Sequence, residues 1–180
     1  MECLQNNLLN GLIERVILFA EHQPNITPSH KLEVRLIGRK ATFQEMFNAV
    51  PDYNGVIIVA NTDIHFNDTL NRAKEIPKGM CYALSRWDKR RDKLVPFHHL
   101  DSQDAWIIRN PNTVKCGDYS PGTPGCDNRL AEEIRESGYK VINPCKTIQA
   151  IHVHETGYRT YTPGVGTVHG QYYLPEPCHL

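Results

Sequence analysis

The feature that most constrains this chain is a short β-branched run that stops abruptly on polar residues. Gly55-Val56-Ile57-Ile58-Val59-Ala60 is followed at once by Asn61-Thr62-Asp63. Such a run reads as a strand buried within a sheet. In α/β folds the carboxyl end of a buried strand is where ligands are placed. Asn61 and Asp63 are alternate residues on an extended end, so both point to the same side. One oxygen suits a sugar or ribose hydroxyl, and the carboxylate suits a hard cation such as Mg²⁺ or Mn²⁺. An Asx-turn or a cap for the following helix accounts for the same residues.

The rest of the chain alternates helical and β-rich stretches. Leu4, Leu8 and Leu12 have helical spacing, and Val16–Ala20 is a continuous apolar run expected to be buried on both faces. Leu32–Ile37 alternates like a half-buried strand, and residues 41–50 predict a helix with Thr42 as its N-cap. A helix is expected over Asp68–Lys74 and strands over Met80–Ser85, Tyr139–Ile142 and Ile148–His154. Residues 86–125 are rich in charge, Pro and Gly, with one apolar island at Ala105–Ile108. The helix after it is expected to start at Asp127 as N-cap and to end at Gly138 in the left-handed region. Together these predict an α/β fold: one domain over residues 1–162 and an irregular tail over 163–180.

His152 and His154 lie two apart on a predicted strand and would face one side, which suits a metal or a diphosphate. Two histidines on a solvated strand face would look the same. Asp127, in a Pro- and Gly-rich loop that opens a helix, is placed either to cap that helix or to act as a general base. Asp101, Asp104 and Trp106 cluster in sequence; the indole could stack on a sugar ring or fill the core. No phosphate-binding P-loop, nucleophile elbow or H-E-x-x-H helix occurs, and Gly164-Val165-Gly166 has neither the strand before it nor the helix after it that a dinucleotide fingerprint requires.

Composition narrows the partners. Twenty basic and twenty acidic side chains leave no net charge, which argues against broad phosphate-backbone binding and so against nucleic acid. No apolar stretch approaches membrane-spanning length and no export signal opens the chain, so a cytoplasmic protein is expected. The six cysteines form no C-x-x-C pair and are expected to be free thiols.

In order and spacing, these segments resemble the nucleotide-sugar glycosyltransferases of the GT-A fold. Val56 to Ile64 resembles their strand and metal-binding D-x-D region, with Asn61 at the first position. Gly125-Cys126-Asp127-Asn128-Arg129-Leu130-Ala131 and Ser137-Gly138-Tyr139-Lys140-Val141 resemble the acceptor-side loop and helix, and Ile151-His152-Val153-His154 the late strand whose histidine can complete the metal site. The resemblance spans about Leu4 to Arg159. It implies a three-layer α/β/α fold with a mostly parallel central sheet, binding a sugar-nucleoside diphosphate and transferring the sugar to an acceptor hydroxyl. Asn61, Asp63 and Arg86 would then contact the donor. Asp63 with His152 or His154 would hold a divalent cation (Mn²⁺ or Mg²⁺). Asp127 would be the base if the anomeric carbon inverts, and Asp104, Trp106 and Asn128 would face the acceptor. The resemblance begins within the family's first helix, so the strand and nucleotide-gripping loop before it are expected to be missing. Two other readings follow from the same residues: a relative that binds sugar, nucleotide or protein without catalysis, and a metal-dependent hydrolase.

Overall fold

The computed structural model describes residues 2–51, 53–91, 93–97, 99–153 and 166–180. Helix α1 (Glu2–Leu9) leads into β1 (Val16–Ala20), which pairs in parallel with β2 (Leu32–Leu36) as a separate two-stranded sheet. Helix α2 (Phe43–Phe47) starts where the sequence predicts, in a full capping box: Thr42 accepts from the Glu45 amide, and the Glu45 carboxylate accepts from the Thr42 amide.

The β-branched run forms β3 (Val56–Ala60), followed by β4 (Ile64–Phe66). The segment expected as a helix over Asp68–Lys74 is a 3-10 helix, Asp68–Glu75, capped by Asn67. Then come β5 (Met80–Leu84), β6 (Arg86–Arg90), β7 (Lys93–Pro96), β8 (Ala105–Arg109), α3 (Cys126–Glu136), β9 (Lys140–Ile142) and β10 (Ala150–His152).

The central sheet has the order β3-β8-β5-β9. It corrects the expectation of a mostly parallel sheet: β8 runs antiparallel to both of its neighbours, and only β5 and β9 pair in parallel. The apolar island at Ala105–Ile108 is therefore a central strand, with partners on both edges and packed side chains on both faces. A second mixed sheet, β4-β10-β6-β7, accounts for much of the charged stretch after Ser85. Its outer hairpin reads as loop in the sequence because Lys89, Arg90, Lys93 and Leu94 are exposed.

Alternate residues of the central sheet serve two cores. Val59, Cys81, Ala83, Trp106, Ile108 and Val141 pack with Phe43 and Phe47 of α2 and with Leu130, Ala131 and Ile134 of α3. On the other face Tyr82, Leu84, Ala105 and Ile107 meet Ile64, Phe66 and Ala150 of the second sheet and Leu70 and Ala73 of the 3-10 helix. One face is thus covered by α-helices and the other by a sheet and a 3-10 turn. The architecture is mixed α/β, with both four-stranded sheets of mixed orientation.

An asparagine in α1 closes a sheet edge. Asn7 donates to Ile64 O (2.9 Å) and accepts from Phe66 N (3.1 Å), so one side-chain amide replaces a neighbouring strand along β4.

Helix α3 begins two residues earlier than expected. Gly125, at φ 78°, is its N-cap, and Asp127 is the second helical residue, which corrects the capping role given to Asp127. A side chain at 125 would be strained by that φ and would also meet Val168 O and the Tyr172 hydroxyl of the tail. The far end matches expectation: Gly138, at φ 93°, and Tyr139 donate to Arg135 O and Ile134 O, a Schellman motif.

Tail residues 166–180 pack onto the domain. Val168 N donates to Pro124 O and Tyr173 N to Asn128 O, and Asn143 and Pro177 form a β-bridge. All six cysteines are unpaired. Among the described residues no helix is long and apolar enough to cross a membrane.

Candidate functional site

Strand direction brings the polar residues together. Ala60 and Leu84 both lie opposite Ala105, so the carboxyl ends of β3 and β5 and the start of β8 share one edge of the central sheet. Asn61, Ser85, Arg86, Gln103 and Asp104 are the residues that leave this edge. The backbone ties them in place: Asp104 N donates to Leu84 O (2.9 Å) and Asn61 N to Asp104 O (3.1 Å). The second sheet adds its own row. His152 pairs with Ile64 on one side and with Asp88 on the other, and Val153 N donates to Asp63 O.

The side chains form a continuous chain of contacts. Asp63 Oδ2 lies 3.2 Å from His152 Nε2, and Asp88 Oδ1 lies 3.1 Å from His152 Nδ1. Arg86 donates through Nε to Asp88 Oδ1 (2.9 Å) and reaches Asp104 Oδ1 with its terminal nitrogen (3.5 Å). Asn61 Nδ2 donates to that same Asp104 oxygen (3.0 Å). The first turn of α3 closes the group, where Asp127 accepts a backbone hydrogen bond from Gln103 and the Cys126 thiol donates to it (3.2 Å).

Ionisation divides these carboxyl groups in two. Burial tends to raise the Asp63 carboxyl, but the hydrogen bond and charge of His152 outweigh it and hold the group below its usual value. For Asp88 burial is likewise outweighed, here by the hydrogen bond and charge of Arg86. His152 is raised: burial disfavours its charge, but the hydrogen bond and charge of Asp63 prevail. Asp104 goes the other way, raised by burial despite Arg86. Asp127 is pushed up to about 7, by burial first and by the neighbouring Asp104 charge second. Although residue 127 as a whole is only half-buried, its carboxyl is crowded by protein. Four carboxyl groups share the site with the Arg86 guanidinium, the more exposed Arg90 and one imidazole. That imbalance raises the proton affinity of Asp104 and Asp127 and favours a cation beside Asp63.

Asp63 and His152 suit such a cation in chemistry: a carboxylate oxygen and an imidazole nitrogen, 3.2 Å apart, are donor types that Mn²⁺ or Mg²⁺ would take. Asp63 Oδ1 is buried without a hydrogen-bond partner among the described residues. No group of three or more His, Cys, Asp or Glu side chains among the described residues is arranged to hold a metal ion. A cation here would take its remaining ligands from water or phosphate, as Mg²⁺ commonly does.

The structure brings together Asn61, Asp63, Arg86, Asp104, Asp127 and His152. It does not bring Trp106 to them. That indole has no accessible surface and stands edge-on to Phe43, ring centres 5.0 Å apart, so it is a core residue and stacking on an acceptor sugar is corrected. Asn128 is buried on α3, its side-chain oxygen unpartnered among the described residues. His154 lies outside the described residues.

Sequence reasoning missed Asp88, Gln103 and Asn143. The i, i+2 pattern Arg86-Trp87-Asp88 was a signal, since it sets Arg86 and Asp88 on one face of a strand. Asn143 is fully buried at the end of β9. It accepts from Ser85 N (3.1 Å) and donates to Ser85 Oγ (2.9 Å) and Pro175 O (3.2 Å), joining the site edge to the tail. Nothing in its local sequence marks it.

Compared with known protein families, curated proteins and solved structures, the chain matches none.

Proposed function

We propose that the chain is a glycosyltransferase-like protein that uses a divalent cation to bind a nucleoside-diphosphate sugar and passes the sugar to an acceptor hydroxyl. One observation carries this reading: Asn61, Asp63, Arg86, Asp104, Asp127 and His152 come from separate elements yet converge at the carboxyl ends of β3 and β5. The resemblance read from the sequence supplies the reaction class.

In this reading Asp63 and His152 hold the cation, which supplies charge neutralisation for the departing diphosphate. Arg86 adds a positive charge on the same side. Asn61, fixed through its amide to Asp104, presents its side-chain oxygen to a ribose or sugar hydroxyl. The acceptor oxygen attacks the anomeric carbon as the carbon–oxygen bond to the diphosphate breaks, and its proton passes to Asp127. A carboxyl that titrates at about 7 is well matched to a base working near neutral pH.

The burial of Trp106 removes the expected sugar-stacking surface and favours a second reading, in which the site binds a sugar nucleotide without transfer. Thermal shift against a panel of nucleotide sugars with Mn²⁺ tests both readings, because a ligand bound to the folded state raises its apparent stability. A shift for one donor, with diphosphate released only when an acceptor is added, supports transfer. A shift without release supports binding alone, and release into water supports hydrolysis. No shift with any donor refutes the nucleotide-sugar reading.

A further inference from the structure

Asp88 stands in the cluster with no part in the scheme above. Its position is set by the backbone: in the parallel pairing of β10 with β6 it lies directly opposite His152. Its Oδ1, the oxygen that meets His152, also accepts from Arg86 Nε (2.9 Å), and its Oδ2 lies 3.5 Å from Arg90. The imidazole of His152 is thus gripped at both nitrogens, Nδ1 by Asp88 and Nε2 by Asp63. A neutral imidazole carries a single proton, so when a cation takes the place of the proton between Nε2 and Asp63, a carboxylate that accepts at Nδ1 keeps the remaining proton there and leaves the Nε2 lone pair to the cation. The two carboxylates are not equivalent. Asp88 already accepts from Arg86 and pairs with Arg90, whereas Asp63 keeps a buried oxygen without a partner among the described residues.

We propose that Asp88 is a positioning residue: it accepts the Nδ1 proton of His152, so that His152 Nε2 and Asp63 Oδ2 face one divalent cation. Carboxylates behind a ligating histidine act this way in metal sites, fixing both the tautomer and the ring orientation. The proposal rests on the cation site of the function proposed above, but not on the identity of the donor.

Mn²⁺ alone, added to the full chain, is the probe. Its affinity is read by electron paramagnetic resonance, and a directly bound imidazole by nitrogen coupling in the pulsed experiment. The wild type should bind Mn²⁺ with nitrogen coupling, and His152→Ala should lose that coupling. Asp88→Ala should weaken Mn²⁺ by about 10- to 100-fold and diminish the coupling. Asp88→Asn, which keeps an acceptor oxygen, should restore most of it. Circular dichroism reports whether each variant is folded; should Asp88→Ala unfold, Asp88→Ser, whose hydroxyl is too short to reach, carries the same expectation. The proposal is overturned by a wild type that binds no Mn²⁺ at millimolar concentration, by bound Mn²⁺ without nitrogen coupling, or by Asp88 variants that bind as the wild type does. Nucleoside-diphosphate binding combined with indifference to Asp88 refutes this role and leaves the donor reading standing. Intact coupling with no nucleoside-diphosphate affinity does the reverse.

Discussion

Replacing Asp127 by Asn isolates the carboxyl group given the role of base. The fold moves that group from an ordinary value of 3.8 to about 7. Three pKa units correspond to about 4 kcal/mol. Because the residue is half-buried rather than sealed, an effect of about 2–4 kcal/mol is the working expectation. The sign follows from the direction of the shift. The folded protein holds the proton more tightly than the unfolded chain does, so this contribution to stability is complete below about pH 4 and is lost as pH rises through about 7. Asn cannot titrate and keeps an acceptor for the Gln103 amide. The variant should therefore gain on the wild type by about 2–4 kcal/mol between about pH 4 and about pH 8. Removing this charge also relieves Asp104, whose carboxyl is raised by the same burial, so the measured gap reports the coupled pair. Urea unfolding of both proteins across that range gives the gap directly. A gap that stays constant with pH would refute the claim that burial and Asp104 raise Asp127.

Two further substitutions separate structural from functional residues. Trp106→Ala should destabilise the protein by about 3–5 kcal/mol in urea unfolding, as expected for a fully buried aromatic ring; full stability with impaired sugar binding would return Trp106 to the acceptor side. Asn143→Ala strips the partners from the buried Ser85 amide and Pro175 carbonyl, so a loss of about 2–4 kcal/mol is expected. The tail at residues 170–180 should then be cut faster by protease, and unchanged proteolysis would show that Asn143 does not hold it.

The parts of the fold legible in the sequence are those fixed by local chemistry. The β3 run, the Thr42 capping box and the Gly138 terminus depend on residues a few positions apart. Strand β8 was hidden because its four apolar residues lie among Pro, Gly and charge, and only pairing with β3 and β5 makes it central. The outer hairpin of the second sheet was hidden for the opposite reason: with much of its surface in water, it lacks an apolar pattern. The reading of Asp127 as a cap failed because a glycine in the left-handed region can start a helix without any side-chain acceptor. In the candidate site, Asn61, Asp63 and His152 could be picked out from alternation at strand ends. Asp88 shows only in the alternation Arg86-Trp87-Asp88; its meeting with His152, 64 residues away, follows from strand register alone.

Titration calorimetry of nucleoside diphosphates with Mn²⁺, on wild type and Asp63→Ala, tests the central claim most directly. The wild type should bind at least one nucleoside diphosphate, with that binding lost when Mn²⁺ is withheld and lost in Asp63→Ala. No binding heat for any nucleoside diphosphate with Mn²⁺ present, or binding indifferent to both the cation and Asp63, would contradict it.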